Sequence, residues 1–148
     1  MLRVTELHHR GDWPEADRVD CVQLDHIVRQ KRRLRVAGEA GTDIMIDLPR
    51  QGMMADGDGL LLESGAWVGV VAAPEKVAIA TCSDSLHLAR LAWHLGNRHT
   101  AAELHGDSLV IAYDSVLVEM LKLQGASVVI EMRPFHPESG AYHEAHSH

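Results

Sequence analysis

The stretch EKVAIATCSDSLHLARLAWHLG, from Glu75 to Gly96, decides the fold of the second half of the chain. It begins with a short apolar run, which is typical of a buried strand, and continues with apolar residues at helical spacing. Four of these residues lie at i, i+3, i+4 and i+7 on one helix face: Leu88, Leu91, Ala92 and Leu95. Ser83 and Asp84 are suitable N-cap residues, and Gly96 is placed to end the helix. We therefore predict a strand followed directly by an amphipathic helix.

The rest of the second half continues this alternation of strands and helices. The stretch Ala102–Tyr113 predicts two short strands joined by a Gly-Asp turn. A second helix is expected to follow, with Asp114 as its N-cap and Gly125 just past its end. Its predicted apolar face consists of four residues: Val116, Leu117, Met120 and Leu121. A last strand within Ala126–Phe135 completes the order β-α-β-β-α-β, which is the order of a ferredoxin-like domain.

The first half contains strand patterns and no long amphipathic helix. Leu34 and Val36 alternate with arginines, and Ile44 and Ile46 alternate with polar residues after a glycine-containing connection. This pattern predicts a β-hairpin. A second hairpin is predicted around the Ser-Gly pair at positions 64–65, after a tight Asp-Gly turn. The first half therefore reads as a small all-β unit.

A change in composition at Pro74 marks the predicted domain boundary. We expect an N-terminal all-β domain at residues 1–73, followed by an α+β, ferredoxin-like domain at residues 74–148. Within the second domain, residues 134–148 contain proline, glycine and few apolar side chains. We expect them to form a flexible, histidine-containing tail.

The bulk composition argues against several classes of partner. The 148 residues carry a formal net charge of −7, and a negative field repels phosphate backbones, so we expect no nucleic-acid partner. No apolar run reaches the roughly 20 residues of a membrane helix, and the N-terminus lacks a signal-peptide pattern. Cys21 and Cys82 have no closely spaced cysteine partner. We therefore expect a cytoplasmic protein with idle thiols and no membrane partner.

The histidines are the residues that point to chemistry, since the chain has 11 of them. His94, His99 and His105 surround a Gly-Asn break at the end of the first predicted helix. Four more histidines fall within the last stretch of the chain: His136, His143, His146 and His148. Imidazole is a good ligand for nickel, copper and zinc, so the tail has a metal-binding composition. A single histidine such as His99, taken on its own, more often has a structural role than a metal-binding one.

Three stretches of the chain resemble sequences of the urease accessory protein UreE family, whose members are nickel metallochaperones. They are LPRQGMMADGDGLLLESGAWVGVVA with its DGD turn (Leu48–Ala72), HLGNRHT (His94–Thr100) and FHPESGAYHEAHSH (Phe135–His148). Their order along the chain is that of the family. The GNRH motif alone is weak, but the combination with the DGD turn and the PESGAY segment is fairly specific. Residues 2–17 are the least distinctive part of the match.

The resemblance implies an architecture and a site. It implies an N-terminal β domain that contacts peptides or urease partners, and a ferredoxin-like domain that forms a homodimer around the metal. His99 is the implied nickel ligand, and the implied candidates to complete the shell are three tail histidines: His143, His146 and His148. The implied partners are the urease accessory GTPase and the apo-urease complex. One departure is the stretch Ala112–Val116, which lacks the extra histidines of some members.

Chemistry agrees with such a carrier, because two-fold symmetry would bring two copies of His99 to one Ni(II) ion. Zn(II) and Cu(II) are alternatives at the same site, and a metal-linked dimer of dimers is left open. We regard His94 as a surface or interface residue and His105 as a solvated turn residue. One alternative function is a peptide-binding module that only buffers metal. A metal-dependent hydrolase is less favoured, because neither H-E-x-x-H nor G-x-S-x-G is present. We therefore expect no enzyme.

Overall fold

The computed structural model describes residues 1–50 and 52–138 of the chain. These residues form two compact units, Met1–Ala73 and a second unit that begins at Pro74. No helix within the described residues is long and apolar enough to cross a membrane.

The first unit is built on a six-stranded sheet. Its strands are β1 (Leu2–His8), β2 (Arg18–Leu24), β3 (Arg33–Ala37), β4 (Asp43–Asp47), β5 (Gly59–Leu62) and β6 (Trp67–Ala72). A 3-10 helix (Glu15–Asp17) and a single-turn helix α1 (His26–Arg29) lie between strands. The sheet order is β2-β6-β5-β1-β4-β3, with β1/β4 and β2/β6 parallel and the other pairs antiparallel.

Both hairpins predicted in the first unit are confirmed. β3 pairs with β4 and β5 pairs with β6, each in antiparallel register. The alternating residues Ile44 and Ile46 are fully buried, and they pack with Val4, Val22 and Leu60 in the core of this unit. Period-two alternation thus identified the buried face correctly. The one-turn helix α1 is too short for a periodic pattern, and its start is capped by the side chain of the preceding aspartate.

The second unit contains four strands and two longer helices. They are, in chain order, β7 (Pro74–Thr81), α2 (Ser85–Asn97), β8 (Glu103–Leu104), β9 (Ser108–Ala112), α3 (Ser115–Leu123) and β10 (Ser127–Pro134). The four strands form one antiparallel sheet in the order β10-β7-β9-β8. Leu91 and Leu95 of α2 and Leu121 of α3 are buried against this sheet.

The ends of both helices test the sequence predictions. Asp84 caps α2 by accepting the His87 N–H, and Asp114 caps α3, as expected. Gly96 was predicted to end α2, but the helix continues to Asn97. That prediction is wrong because the chain reverses at a later residue, His99, which adopts the left-handed conformation.

The buried face of α3 is also displaced from the predicted one. Val116 was expected in the core but is 71% exposed, whereas Val118 is only 6% exposed. Leu117 and Leu121 do pack on the core, as predicted. Residues 116 and 118 flank Leu117 and Leu121 on opposite sides of the helix surface. Helical spacing alone therefore cannot decide which of the two valines is buried.

The chain beyond β10 is held more firmly than expected. Phe135 is fully buried against Val77 and Val110, and Pro137 is buried as well. The Glu138 N–H donates to the Ala102 carbonyl over 2.8 Å. The expectation of a flexible tail from residue 134 onward is therefore wrong for residues 134–138. The expected tail ligands His143, His146 and His148 lie outside the described residues.

Candidate metal site

His99 lies two residues beyond the end of α2, where the chain reverses direction. Its N–H donates to the Gly96 carbonyl (3.1 Å), and the Thr100 N–H reaches back to the Leu95 carbonyl (3.0 Å). These two bonds form a Schellman motif, in which the C′ residue is left-handed and is usually glycine. His99 takes that place with φ of 55°, and it is the sole non-glycine residue with positive φ in the described chain.

A histidine in this position is costly. The left-handed conformation costs an L-residue roughly 1–2 kcal/mol, and glycine avoids this strain. The His99 side chain is exposed, so no core packing repays that cost. Non-glycine residues in strained backbone positions cluster at functional sites. The geometry therefore supports a role for the imidazole itself, and sequence reasoning missed this backbone feature because it assigned the helix end to Gly96.

His94 lies on the same helix but is engaged elsewhere. Its ring meets the Trp93 ring edge-to-face, with centroids 5.1 Å apart. It is half-buried, whereas Trp93 is 65% exposed. The five-residue spacing between His94 and His99 does not place them on one helix face. This geometry agrees with the expected surface role for His94.

His105 is not simply solvated, contrary to expectation. Its Nε2 lies 2.6 Å from Oε2 of Glu103, a carboxylate that is only 8% exposed. Arg133 Nη2 donates to the same oxygen (3.0 Å), and the His136 backbone N–H donates to the other oxygen (2.8 Å). Burial alone would raise the pKa of Glu103, but these donors and the arginine charge outweigh it and lower that pKa. Sequence reasoning missed Glu103 because two of its partners, Arg133 and His136, are distant in the chain.

His87 has a structural role. Its Nδ1 accepts the Ser83 N–H (3.0 Å), and its Nε2 lies 2.8 Å from the Gln124 carbonyl oxygen. A neutral ring protonated at Nε2 satisfies both contacts, because Nδ1 must accept and Nε2 must donate. His87 thus ties the start of α2 to the end of α3 and is not available as a ligand in this geometry.

Of the four predicted ligands, His99 alone lies within the described residues. Within residues 1–50 and 52–138, no group of three or more His, Cys, Asp or Glu side chains is placed to hold a metal ion. An exposed imidazole alone is a weak site, since a divalent first-row metal usually takes four to six donors. A metal site at His99 would therefore need further donors.

Comparison with known proteins decides the family. The N-terminal domain of UreE urease accessory protein matches residues 3–73, and the C-terminal domain matches residues 75–148. The chain belongs to the UreE urease accessory protein family. A protein named urease accessory protein UreE from Beijerinckia indica is 43% identical over 142 residues, covering 96% of this chain and 82% of the relative. Proteins of the same name from Chelativorans sp. (41% over 148 residues; 100% and 90%) and Azorhizobium caulinodans (42% over 149 residues; 100% and 71%) are similar.

The DGD turn by which the chain resembles the UreE family serves the fold. Asp56 accepts the Ala72 N–H (2.9 Å). Asp58, which is 2% exposed, accepts backbone N–H groups from Arg10 (3.1 Å) and Ala55 (2.9 Å). Both carboxylates therefore bind backbone amides that would otherwise lack a partner. The motif is a structural clamp in the first unit.

The stretch Ala112–Val116, which lacks the extra histidines of some UreE members, holds an aromatic contact instead. Tyr113 lies where some UreE members are expected to carry extra histidines, and the Lys76 ammonium lies 4.0 Å from the centre of its ring. A cation over an aromatic face is a favourable pair. A positive charge in this place opposes binding of a second metal cation, so an accessory site at Tyr113 is not supported.

Proposed function

We propose that this protein is a nickel metallochaperone that delivers Ni(II) to apo-urease during active-site assembly. The ion is held at the interface of a homodimer, between two copies of His99, with His143, His146 or His148 completing its shell. The observation that carries the proposal is the exposed imidazole of His99 on a left-handed backbone position, in a chain of the UreE family. The protein acts as a carrier and not as an enzyme.

The single ligand per chain supports the dimer. An isologous interface presents the same residue from each subunit at the two-fold axis, so two His99 side chains can share one ion. The C-terminal unit has the βαββαβ order and the antiparallel 4-1-3-2 strand arrangement that we propose to be ferredoxin-like. In that frame the end of α2 is a rigid support for the ligand.

The donor set suits transfer better than storage. Imidazoles at an open site give exchangeable binding, whereas closed cages of four protein ligands are typical of structural metal. Copper binds such nitrogen sites more tightly than nickel, so Zn(II) and Cu(II) compete for the same site and metal supply decides its occupancy. The proposed recipients are the urease accessory GTPase and the apo-urease complex, in the cytoplasm.

A peptide-binding module is the second candidate, and one observation favours it. The first unit contains a cavity of about 600 Å³ beside β1 and the chain that follows β4. Leu7, Leu48 and Met53 contribute apolar walls, while Glu6, His8 and Arg50 add polar groups. This cavity is suited to a partner segment, and such a role is compatible with nickel delivery by the second unit. A metal-dependent hydrolase finds no support, because the described residues do not gather three fixed ligands.

The test is a calorimetric nickel titration of the full-length protein beside His99→Ala, with the oligomer mass followed by light scattering. We expect one tightly bound ion per dimer in the wild-type protein and its loss in the variant. His94→Ala is the matched control, since it removes an imidazole from the same helix and should leave the tight ion in place. Equal tight binding by wild type and His99→Ala would refute the assignment.

A further inference from the structure

The strand β10 forms an open edge of the second sheet. It pairs with β7 over its whole length, Ser127–Pro134, in an unbroken antiparallel register. The order β10-β7-β9-β8 leaves its other side without a neighbouring strand among the described residues. Three of its apolar side chains, Val129, Ile130 and Met132, are between 41% and 66% exposed. A long, apolar edge strand is a template on which another strand can pair.

The other edge strands of the two sheets carry features that discourage such pairing. β8 has two residues, and β3 carries the charged side chains of Arg33 and Arg35. β2 has a register shift after Arg18, and the carbonyl of its Cys21 already accepts the Glu39 N–H (2.8 Å). Short length, charge, bulges and covered backbone groups all protect an edge strand. β10 is longer and has a continuous register, so it is the least protected of these edges.

Alternate residues of β7 bond to its two neighbours, which fixes the direction of the backbone groups in β10. The Tyr113 N–H donates to the Lys76 carbonyl (2.9 Å), so the even-numbered residues of β7 point their backbone groups toward β9. The odd-numbered residues of β7 point toward β10 and pair there with odd-numbered residues, for example Ile79 with Val129. The even-numbered residues of β10 therefore direct their backbone groups to the open side. They are Val128, Ile130, Met132 and Pro134.

Two copies of β10 are complementary when they run antiparallel about a two-fold axis at Ile130. Ile130 then lies opposite its own copy and Val128 lies opposite Met132, so apolar side chains meet and about six backbone hydrogen bonds form. An axis at Glu131 would place two carboxylates directly opposite each other, which is destabilising. An axis at Met132 would place Pro134, which has no N–H, opposite Ile130. Charge and the proline therefore select the axis at Ile130.

We propose that β10 is a contact surface for a second copy of this chain, through which the two four-stranded sheets join edge to edge. The contact requires no metal, and it goes beyond the proposed function. His99 precedes β8, the strand at the opposite edge of the sheet, so pairing through β10 leaves the imidazole free. An ion shared by two copies of His99 would then form a second, metal-dependent contact.

The test is the mass of the metal-free, full-length protein, measured by light scattering in EDTA. We expect two chains per particle for the wild type and one for Ile130→Lys, because two ammonium groups would then lie opposite each other at the axis. Met132→Lys, at a more exposed position of the same edge, should have the same effect. The matched control is Val116→Lys, which changes an exposed valine of α3 and should remain at two chains. Circular dichroism checks the folding of each variant.

Two further measurements report the register. Ile130→Cys should form a disulfide between copies on oxidation, because residues opposite each other in a hydrogen-bonded pair have Cα atoms about 5.5 Å apart, whereas Val116→Cys should not. Amide hydrogen exchange in the wild type should be slow at Val128, Ile130 and Met132 at high protein concentration and faster on dilution. The odd-numbered residues of β10 should stay slow at both concentrations, because they bond to β7.

The outcomes separate this inference from the proposed function. A metal-free wild type of one chain would overturn the contact between copies and leave the edge to a strand of another protein. An Ile130→Lys variant that keeps two chains would overturn it as well. His99→Ala should keep two chains without metal, and a single chain in that variant would place the contact at His99 instead. Absence of a tight nickel ion would refute the proposed function without changing the metal-free mass.

Discussion

Replacing His99 by glycine should stabilise the protein while abolishing its tight nickel site. His99 holds the C′ position of a Schellman motif with φ of 55°, where an L-residue is strained by roughly 1–2 kcal/mol. Glycine relieves this strain, but it also gives the unfolded chain more freedom, which costs about 0.4–1 kcal/mol. The net expected gain in the free energy of unfolding is about 0.5–1 kcal/mol.

His99→Ala is the natural comparison, because alanine removes the same imidazole and keeps the strain. We expect His99→Gly to be about 1 kcal/mol more stable than His99→Ala. In urea, with a typical dependence of about 2 kcal/mol per molar, this difference moves the unfolding midpoint by roughly 0.5 M. Circular dichroism is the appropriate probe, since both longer helices, α2 and α3, belong to the second unit.

The pair of variants separates stability from binding. Both should lose the tight nickel ion, although one is more stable than wild type, so the loss cannot be attributed to unfolding. The reasoning would be refuted if His99→Gly proved no more stable than His99→Ala. That result would mean that the helix end does not depend on a left-handed residue at this position, and the argument from strain to function would lose its basis.

Three further predictions concern the fold that supports the site. Gly96→Ala should raise the free energy of unfolding by about 0.5–1 kcal/mol, because Gly96 is helical and no atom lies within 4 Å of an added Cβ. A lower free energy of unfolding in urea titrations would instead support the prediction that α2 ends at Gly96. Phe135→Ala should lower the free energy of unfolding by about 3 kcal/mol, whereas Leu123→Ala, at a residue that is 86% exposed, should change it by less than about 0.5 kcal/mol. Equal effects of the two variants would contradict the buried packing of Phe135. Burial would raise the pKa of Asp20, but hydrogen bonds from Thr42, Ala40 and Cys21 lower it to about 2. The free energy of unfolding of the wild type should therefore exceed that of Asp20→Asn by about 2 kcal/mol at neutral pH, and this difference should vanish as pH falls from about 4 through 2. A difference that stays constant in urea titrations across that pH range would show that it does not arise from the lowered pKa of Asp20.

Local patterns in the sequence predicted most of the regular structure. The hairpins of the first unit follow from alternation, since a buried sheet face selects every second residue. The helices of the second unit follow from apolar spacing and from Asp84 and Asp114, whose short side chains cap the nearest free amides. These features depend on residues close together in the chain, so a single sequence contains the information that they need.

The errors arise where the deciding contact is not local or where two local choices have similar energy. The end of α2 was assigned to Gly96 because glycine favours the left-handed conformation, yet the chain places His99 there. Val116 and Val118 fit the helical period almost equally, and only the packed sheet selects Val118. Glu103 was overlooked because Arg133 lies thirty residues away and His136 contributes a backbone amide, which no side-chain pattern reveals.

A single predicted ligand in the described part of each chain would link nickel binding to assembly in the proposed carrier. In the proposed carrier, the described residues of one chain supply a single imidazole, so tight binding requires a second copy of the chain or donors from residues 139–148. Nickel and self-association are then linked, because a ligand that binds only the assembled state favours that state, and the coupling free energy is the same in both directions. An acceptor that binds the tail or separates the two chains would weaken nickel binding without competing for the ion.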